Sequence, residues 1–521
     1  MTDAAEAPRT TDVTIGPGDK RYPALNRGFN QRWIAEPEYI RLARSGTEVA
    51  AALAQAVKET PKDPRRTRIT VRSGGHSYED FVCGDDVRVI IDVGPMCGVG
   101  YDPKLDAHYV EAGATNWHVY SHLYPLTGKA LPGGSCYSVG VGGHVTGGGF
   151  GLLSRQHGLT VDYLYAVEVA VVKKDRTVEL VVAKRDDPDP ARRELLWAHT
   201  GAGGGNFGVV TRFWFRGLPE PPKQVLLTGL AWKWAEVRKE DFTTLVRKYG
   251  EFFQAHKGTG DKFGNLFSML KLNHVSNGEI GLIAQIDADT SAGTEAMGEF
   301  LAAIDGSIVP LARPMTTAMG EHPPIPELKT PRLLPWLTAT QVLNSSGENR
   351  CGKYKSAYHR TPFTTAQIEA MWAALSDERY ENKEALIQVD SYGAAINKPP
   401  RETAVPQRDS IMKLQHQVYW TRGDSRERQH LAWIRKLYRS MYTDTGGVPV
   451  PNQETDGCYI NYPDVDLNDT ATWNTSGVPW STLYYKGIYP RLRQVKKRWD
   501  PLDVFRNKQS IELPPERSGQ P

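Results

Sequence analysis

The sequence predicts an α+β protein of two domains, and three observations predict it. The chain has 521 residues, more than one hydrophobic core commonly supports. Strand and helix periodicities alternate up to residue 215. The run Pro219-Glu220-Pro221-Pro222-Lys223 then breaks that texture, and beyond it antiparallel strand signals mix with long amphipathic helices.

Residues 1–45 are polar and then turn-rich. The first helix is expected at 47–57, where Val49, Leu53 and Val57 recur at i, i+4 and i+8 and present one face to a core. A strand at 69–72 should run into a glycine turn, Arg72-Ser73-Gly74-Gly75-His76. Strands at 87–93 and 108–111 follow, then a short helix at 117–124. The centre of the chain, 131–151, is too rich in glycine to form a helix or strand interior without a penalty. Its backbone should take positive φ angles or admit close approach, and successive unobstructed N–H groups there suit a phosphate.

Strands are expected next at 163–173 and 177–182, around a Lys174-Asp175-Arg176 turn, then a helix at 190–199 with Pro190 near its start and a strand at 209–215. Residues 203–208 match Gly-x-Gly-x-x-Gly. A helix precedes and a strand follows, the reverse of the dinucleotide fingerprint, so a Rossmann unit is excluded. Past the proline run, strands at 224–230, 265–272 and 278–286 and helices at 241–256, 294–304, 365–375 and 425–441 predict an antiparallel sheet covered by helices. Ser276-Asn277-Gly278 marks a hairpin turn. Residues 310–352 are proline-rich and carry no clear period, and 457–512 are dense in aromatics. No internal repeat or low-complexity tract occurs.

Composition narrows the function. Hydrophobic residues make up 40% and charged residues 24%, ordinary for a globular protein. The net charge of +3 reflects 63 basic against 60 acidic residues without a basic block, which argues against a nucleic-acid partner. The five cysteines, 83, 97, 136, 351 and 458, form no Cys-x-x-Cys pair, which speaks against a disulfide framework or zinc ribbon and for a reducing compartment. The polar start lacks an apolar leader and twin arginines, and no segment is long enough to cross a bilayer; a cytoplasmic location with no membrane contact is expected. His118 and His122 share a helical face without the glutamate of a zincin, so no metal site is expected. Gly-x-Ser-x-Gly and the P-loop pattern are absent.

Six ordered motifs remain: Arg72-Ser-Gly-Gly-His76, Pro132-Gly-Gly-Ser-Cys136, Gly142-Gly-His-Val-Thr-Gly-Gly-Gly149, Gly203-Gly-Gly-Asn-Phe-Gly208, Tyr459-Ile-Asn-Tyr462 and Lys508-Gln-Ser-Ile511. Together they resemble the berberine-bridge-enzyme-like flavin oxidases of the vanillyl-alcohol oxidase (PCMH-type) superfamily over roughly residues 30–512, and in particular the hexose oxidases of glycopeptide-antibiotic assembly and the aclacinomycin oxidoreductase. The resemblance implies a cofactor domain built from 1–220 and 445–521, with a substrate domain, 221–444, inserted between them.

It also implies FAD held by two covalent bonds, from His76 to the 8α-methyl and from Cys136 to C6 of the ring. Read alone, His76 is better taken as a turn histidine and Cys136 as a buried inert thiol; each attachment does need a nucleophile of that type. The resemblance places Arg72, Ser73, Gly74, Gly75 and Ser77 around the first tether. Gly133, Gly134, Ser135, Gly140, Gly142, Gly143, His144, Gly147, Gly148 and Gly149 surround the second, with Gly208, Val209, Val210, Tyr459 and Asn461 completing the cofactor site.

For catalysis, the resemblance makes Tyr459 the base that takes a hydroxyl proton during hydride transfer to flavin N5, with Asn461 beside it. A free tyrosine titrates near ~10, so the site must make it more acidic. Tyr392 has two readings, hydrogen-bonding partner of Tyr459 on the substrate side or strand aromatic packing on the sheet. Phe150 stands where the sugar-oxidising relatives carry tyrosine; it cannot move a proton, which predicts a single two-electron oxidation. The expected reaction is oxidation of an alcohol, a sugar hydroxyl or glycosylated natural product, with a small-molecule substrate and O2 as partners and H2O2 as product. The alternative within the same cofactor class is a flavin dehydrogenase or an oxidative-cyclisation enzyme acting on a polyketide or alkaloid. A flavin-less binding protein is disfavoured because both tether residues are present.

Overall fold

A computed structural model describes residues 13–515, apart from 345, 347 and 348. The polar segment at 1–12, read above for targeting signals, lies outside the described residues. The described residues form an α+β fold with three sheets.

The first sheet orders Val13–Ile15, Tyr39–Leu42, Val87–Asp92 and Arg68–Arg72, the last three parallel. Val87–Asp92 lies inside it and is buried at every position, which its Val-Arg-Val-Ile-Ile-Asp sequence allows because Arg88 turns to the Ala56 carbonyl and Glu59. The helix Gly46–Lys58 covers this layer, with Ser45 accepting the Glu48 N–H at its start. The second sheet is antiparallel, in the order Val99–Asp102, Ala107–Glu111, Val209–Phe215, Leu164–Val172 and Val178–Lys184.

The third sheet has eight antiparallel strands between Gln224 and Trp420. Gln224–Lys233, Glu279–Asp287, Phe267–Asn273, Ala385–Ser391, Met412–Trp420 and Cys351–His359 lie side by side, with short strands at one edge. Helices Lys239–Ala255, Ser291–Ile304, Thr365–Leu375 and Glu427–Met441 pack against it and one another.

The expected elements are present within a few residues of their predicted ends, including the hairpin, where Gly278 takes φ 93°. Two expectations are corrected. The glycine-rich centre does contain a helical turn, Val141–Thr146, whose first residues lie against Ser73 and Ala112. Three long strands, Cys351–His359, Ala385–Ser391 and Met412–Trp420, lie where no strand range was expected. Their alternate lysines, glutamines and histidines imitate solvent-facing residues, yet all three strands are fully buried.

A buried ion network compensates that polarity. Lys353 Nζ lies 2.5 Å from Glu79 and 2.7 Å from Asp464, and Lys355 Nζ 2.6 Å from Asp464 and 2.8 Å from Asp466. It ties the edge of the large sheet to both the N-terminal and C-terminal parts of the chain. The last residues also close on the first: Arg68 donates to the Arg506 carbonyl, Lys508 pairs with Asp80, and Ile511 N–H donates to Asn206. One cavity opens where these parts meet.

Candidate active site

Strand Arg68–Arg72 ends on an ion pair, Arg72 to Asp92 at 2.6 Å, and the chain turns through Gly75 at φ 73°. Among the described residues, the backbone N–H groups of Ser73 to Ser77 donate to no protein acceptor. Such a run, with one residue in the left-handed region, forms an anion-binding nest. Cβ atoms on Gly74 and Gly140 would each meet the other residue's backbone nitrogen, at 2.3 and 2.1 Å. Only two glycines let these turns touch, and the contact delivers His76 and Cys136 to one place.

His76 stacks on Phe29, with ring centroids 4.5 Å apart, and its Nε2 lies 2.8 Å from Ser138 Oγ. Burial, reinforced by the Arg72 charge, lowers its pKa to about 4, so the ring is neutral at physiological pH. The Cys136 sulfur lies 3.4 Å from Ser346 Oγ and 3.9 Å from Ser138 Oγ. Burial, then the Glu321 carboxylate, pushes its thiol up to about 11, while the two serine hydroxyls pull it down.

Both residues line a cavity of about 340 Å³. The expected cofactor residues Arg72, Ser73, Gly74, Gly75, Ser77, Gly134, Ser135, Gly140, Gly142, Gly143, His144, Gly208, Val210, Tyr459 and Asn461 line it too, as does Phe150. Gly133, Gly147, Gly148, Gly149, Val209 and Tyr392 do not. Those glycines serve chain packing: a Cβ on Gly147 would lie 2.0 Å from Asn461 Oδ1, and one on Gly149 2.3 Å from Thr160 Oγ1. By contrast, Cβ atoms on the lining residues Gly143 and Gly205 would meet no protein atom within 4 Å. An N–H nest, an open glycine floor and two nucleophiles at one edge fit a flavin dinucleotide.

The large sheet supplies another wall. Its strand register sets Asp390 opposite Lys413 and Gln388 opposite Gln415, putting these side chains on one face. Lys413 Nζ lies 2.7 Å from Asp390 Oδ2 and 3.2 Å from Tyr462 Oη, and 4.6 Å from the centre of the Phe150 ring. Gln388 donates to Asp390 and accepts from Lys271, whose ammonium burial lowers to about 8. Glu321 also lines the cavity; burial raises its carboxyl to about 7.

Tyr459 lies in this wall, and its hydroxyl accepts from Asn461 Nδ2 at 2.9 Å; the same amide donates to the His144 carbonyl at 3.0 Å. Burial raises the Tyr459 pKa, while Lys413 and Asn461 act the other way. Tyr392 is not the partner that the sequence suggested. Its hydroxyl donates to the Gln407 carbonyl at 3.0 Å, because the chain leaves the sheet after Ser391 and turns the ring into the core. Phe150 lies 5.5 Å from Tyr392 between ring centroids. Of the aromatics in 457–512, Tyr459, Tyr462 and Tyr485 line the cavity, whereas the tryptophans 473, 480 and 499 do not. Asp390, Lys413, Gln388, Gln415 and Glu321 were missed. Alternation at 386, 388, 390 and at 413, 415, 417 was the signal available for the sheet residues.

Among the described residues no group of three or more His, Cys, Asp or Glu could hold a metal ion, and no helix is long and apolar enough to cross a membrane.

The fold and this cavity define a class, the FAD-linked oxidoreductases. Residues 37–180 match the family model described as FAD binding domain, and 458–512 the one described as berberine and berberine like. The chain is 41% identical to the aclacinomycin-N/aclacinomycin-A oxidase of Streptomyces galilaeus, over 97% of this chain and 91% of that protein. It is 37% identical to the hexose oxidase of Chondrus crispus, over 96% and 95%. Among solved structures it superposes on CrmK, a flavoenzyme of shunt-product recycling in caerulomycin biosynthesis, with a TM-score of 0.89 and 41% identity, over 96% of this chain and 99% of that one. The chain belongs to the berberine-bridge-enzyme-like FAD-binding family.

Proposed function

We propose that the protein is an alcohol oxidase carrying FAD on two covalent bonds, to His76 and Cys136, with 1–220 and 445–521 forming the cofactor domain and 221–444 the substrate domain. Bound FAD supplies two-electron oxidation of a carbinol carbon, with O2 then reduced to H2O2. His76 uses Nε2 toward Ser138, which leaves Nδ1 as the nitrogen for its bond. The N–H nest of 73–77 binds the anionic part of the cofactor, and the glycine floor lets it approach the backbone.

Tyr459 takes the substrate hydroxyl proton at Oη. Asn461 holds that oxygen with one hydrogen bond, and the Lys413 ammonium, 5.5 Å from the ring centre, favours its ionised form against the cost of burial. Asp390 fixes Lys413 in place. The amide and carboxylate face of the large sheet suits a polyhydroxylated substrate, and the relative named for hexose, beside the one named for aclacinomycin, supports a sugar hydroxyl as the site of oxidation. The observation that carries this reading is the Tyr459–Asn461 pair in the same cavity that His76 and Cys136 line.

The test is a screen of free hexoses and glycosylated natural products with H2O2 detection. Peroxide formed in proportion to carbonyl product supports the reading. Flavin reduction by a substrate without O2 consumption would make the protein a dehydrogenase instead.

A further inference from the structure

Asn344 and Ser346, between Trp336–Val342 and Cys351–His359, belong to the substrate half of the chain, yet both lie against the Cys136 loop. Asn344 Oδ1 accepts from Tyr137 N at 3.3 Å, and Ser346 Oγ accepts from Ser138 N at 2.8 Å. The same Ser346 oxygen lies 3.4 Å from Cys136 Sγ and 3.1 Å from Ser138 Oγ, which in turn lies 2.8 Å from His76 Nε2. The two tether residues are therefore joined through two serine hydroxyls, whose hydrogens rotate to either neighbour.

We propose that Ser346, together with Ser138, is a positioning residue for the Cys136 attachment: the two hydroxyls accept the thiol proton and donate to the resulting thiolate. This rests on the two-bond reading above. The step is an ionisation only. The S–H bond breaks and its electron pair stays on sulfur, while the proton passes through Ser346 and Ser138 to His76 Nε2 and on to cavity water. A buried ring of low basicity beside Arg72 does not retain the proton; it hands it on.

The need for such a device follows from the surroundings. Among the described residues, the ionisable groups that act most on the sulfur are the Glu321 carboxylate and the phenols of Tyr78, Tyr354 and Tyr462, and none of these is a cation. Thiolates are ordinarily favoured by a neighbouring cation or a helix N-terminus. Here hydrogen bonds from hydroxyls are what remains, and hydrogen bonds to a charged group contribute about 1.5–3 kcal/mol, roughly ten- to hundredfold in thiolate population. Because Ser346 comes from the substrate half, the second bond forms only once the two halves have docked.

The experiment measures, by peptide mass, the fraction of Cys136 and of His76 carrying flavin as FAD is added to protein produced without it. Wild type, Ser138→Ala, Ser346→Ala and Ser346→Thr are compared at pH 7 and pH 9.5, with melting temperatures as a control. Ser346→Ala is expected to form the Cys136 bond about ten- to hundredfold more slowly than wild type at pH 7, to gain rate at pH 9.5 as its thiolate fraction rises with pH, and to form the His76 bond normally. Ser346→Thr should behave as wild type. A wild-type rate in Ser346→Ala at pH 7 would overturn the proposal, and so would a rate in that variant that does not rise between pH 7 and pH 9.5. Wild-type protein with no flavin on Cys136 is a separate outcome, which removes the two-bond reading and this proposal with it.

Discussion

Lys413 and Asp390 face each other across adjacent strands, 2.7 Å apart and at most 2% exposed, and Asp390 lines the cavity that Tyr459 also lines. Such a pair is costly to desolvate but far more costly to break, because the surviving charge is left buried alone. Lys413→Met is expected to destabilise the protein by about 3–5 kcal/mol, and adding Asp390→Asn should restore much of that. Denaturant unfolding of the single and double variants checks this.

Tyr459→Phe removes the proposed proton acceptor without a change of ring size. The expected result is about a hundred- to ten-thousandfold fall in the rate of flavin reduction by substrate, with flavin content unchanged. Asn461→Ala should lose less, about tenfold, and shift the alkaline-rising limb of the pH profile upward, because the Tyr459 hydroxyl then lacks its hydrogen-bond donor. Anaerobic stopped-flow reduction across pH measures both.

Glu321 makes stability depend on pH. Its carboxyl is raised from 4.5 to about 7, chiefly by burial, so between those values the native state binds more protons than the unfolded chain. Stability therefore falls as pH rises through that window, by at most about 3 kcal/mol. Glu321→Gln does not titrate there. Its stability relative to wild type should rise from pH 4 to pH 8, and melting curves at the two values read the difference.

Phe150 offers no proton-transfer group where it lines the cavity beside Lys413 and Tyr392. The product should therefore be the carbonyl compound, with one H2O2 released per substrate. Mass analysis finding carboxylate from purified enzyme alone would contradict that expectation.

The first half of the molecule was readable in the sequence because its strands are Val- and Ile-rich and its helices carry apolar stripes, as in 87–92 and 46–58. The large sheet was only half readable. Lys353, Lys355, Lys413 and His416 occupy buried strand positions that patterning assigns to solvent, and their partners Glu79, Asp390, Asp464 and Asp466 are distant in sequence or on a neighbouring strand. For the site, motif residues located the nest, His76, Cys136 and Tyr459. The wall contributed by Asp390, Gln388 and Gln415, with Lys413 paired behind it, was not legible, since only strand register brings those residues together. Tyr392 was legible as a strand-end aromatic, but the direction of its hydroxyl depends on the turn after Ser391.

The central claim is the double attachment, and acid denaturation tests it most directly. Precipitated wild-type protein, His76→Ala, Cys136→Ala and the double variant are separated from free flavin, and the absorbance of each precipitate is recorded. Flavin retained by wild type and by each single variant, but lost from the double variant, is the predicted result. Flavin that washes out of the wild-type precipitate would contradict the account.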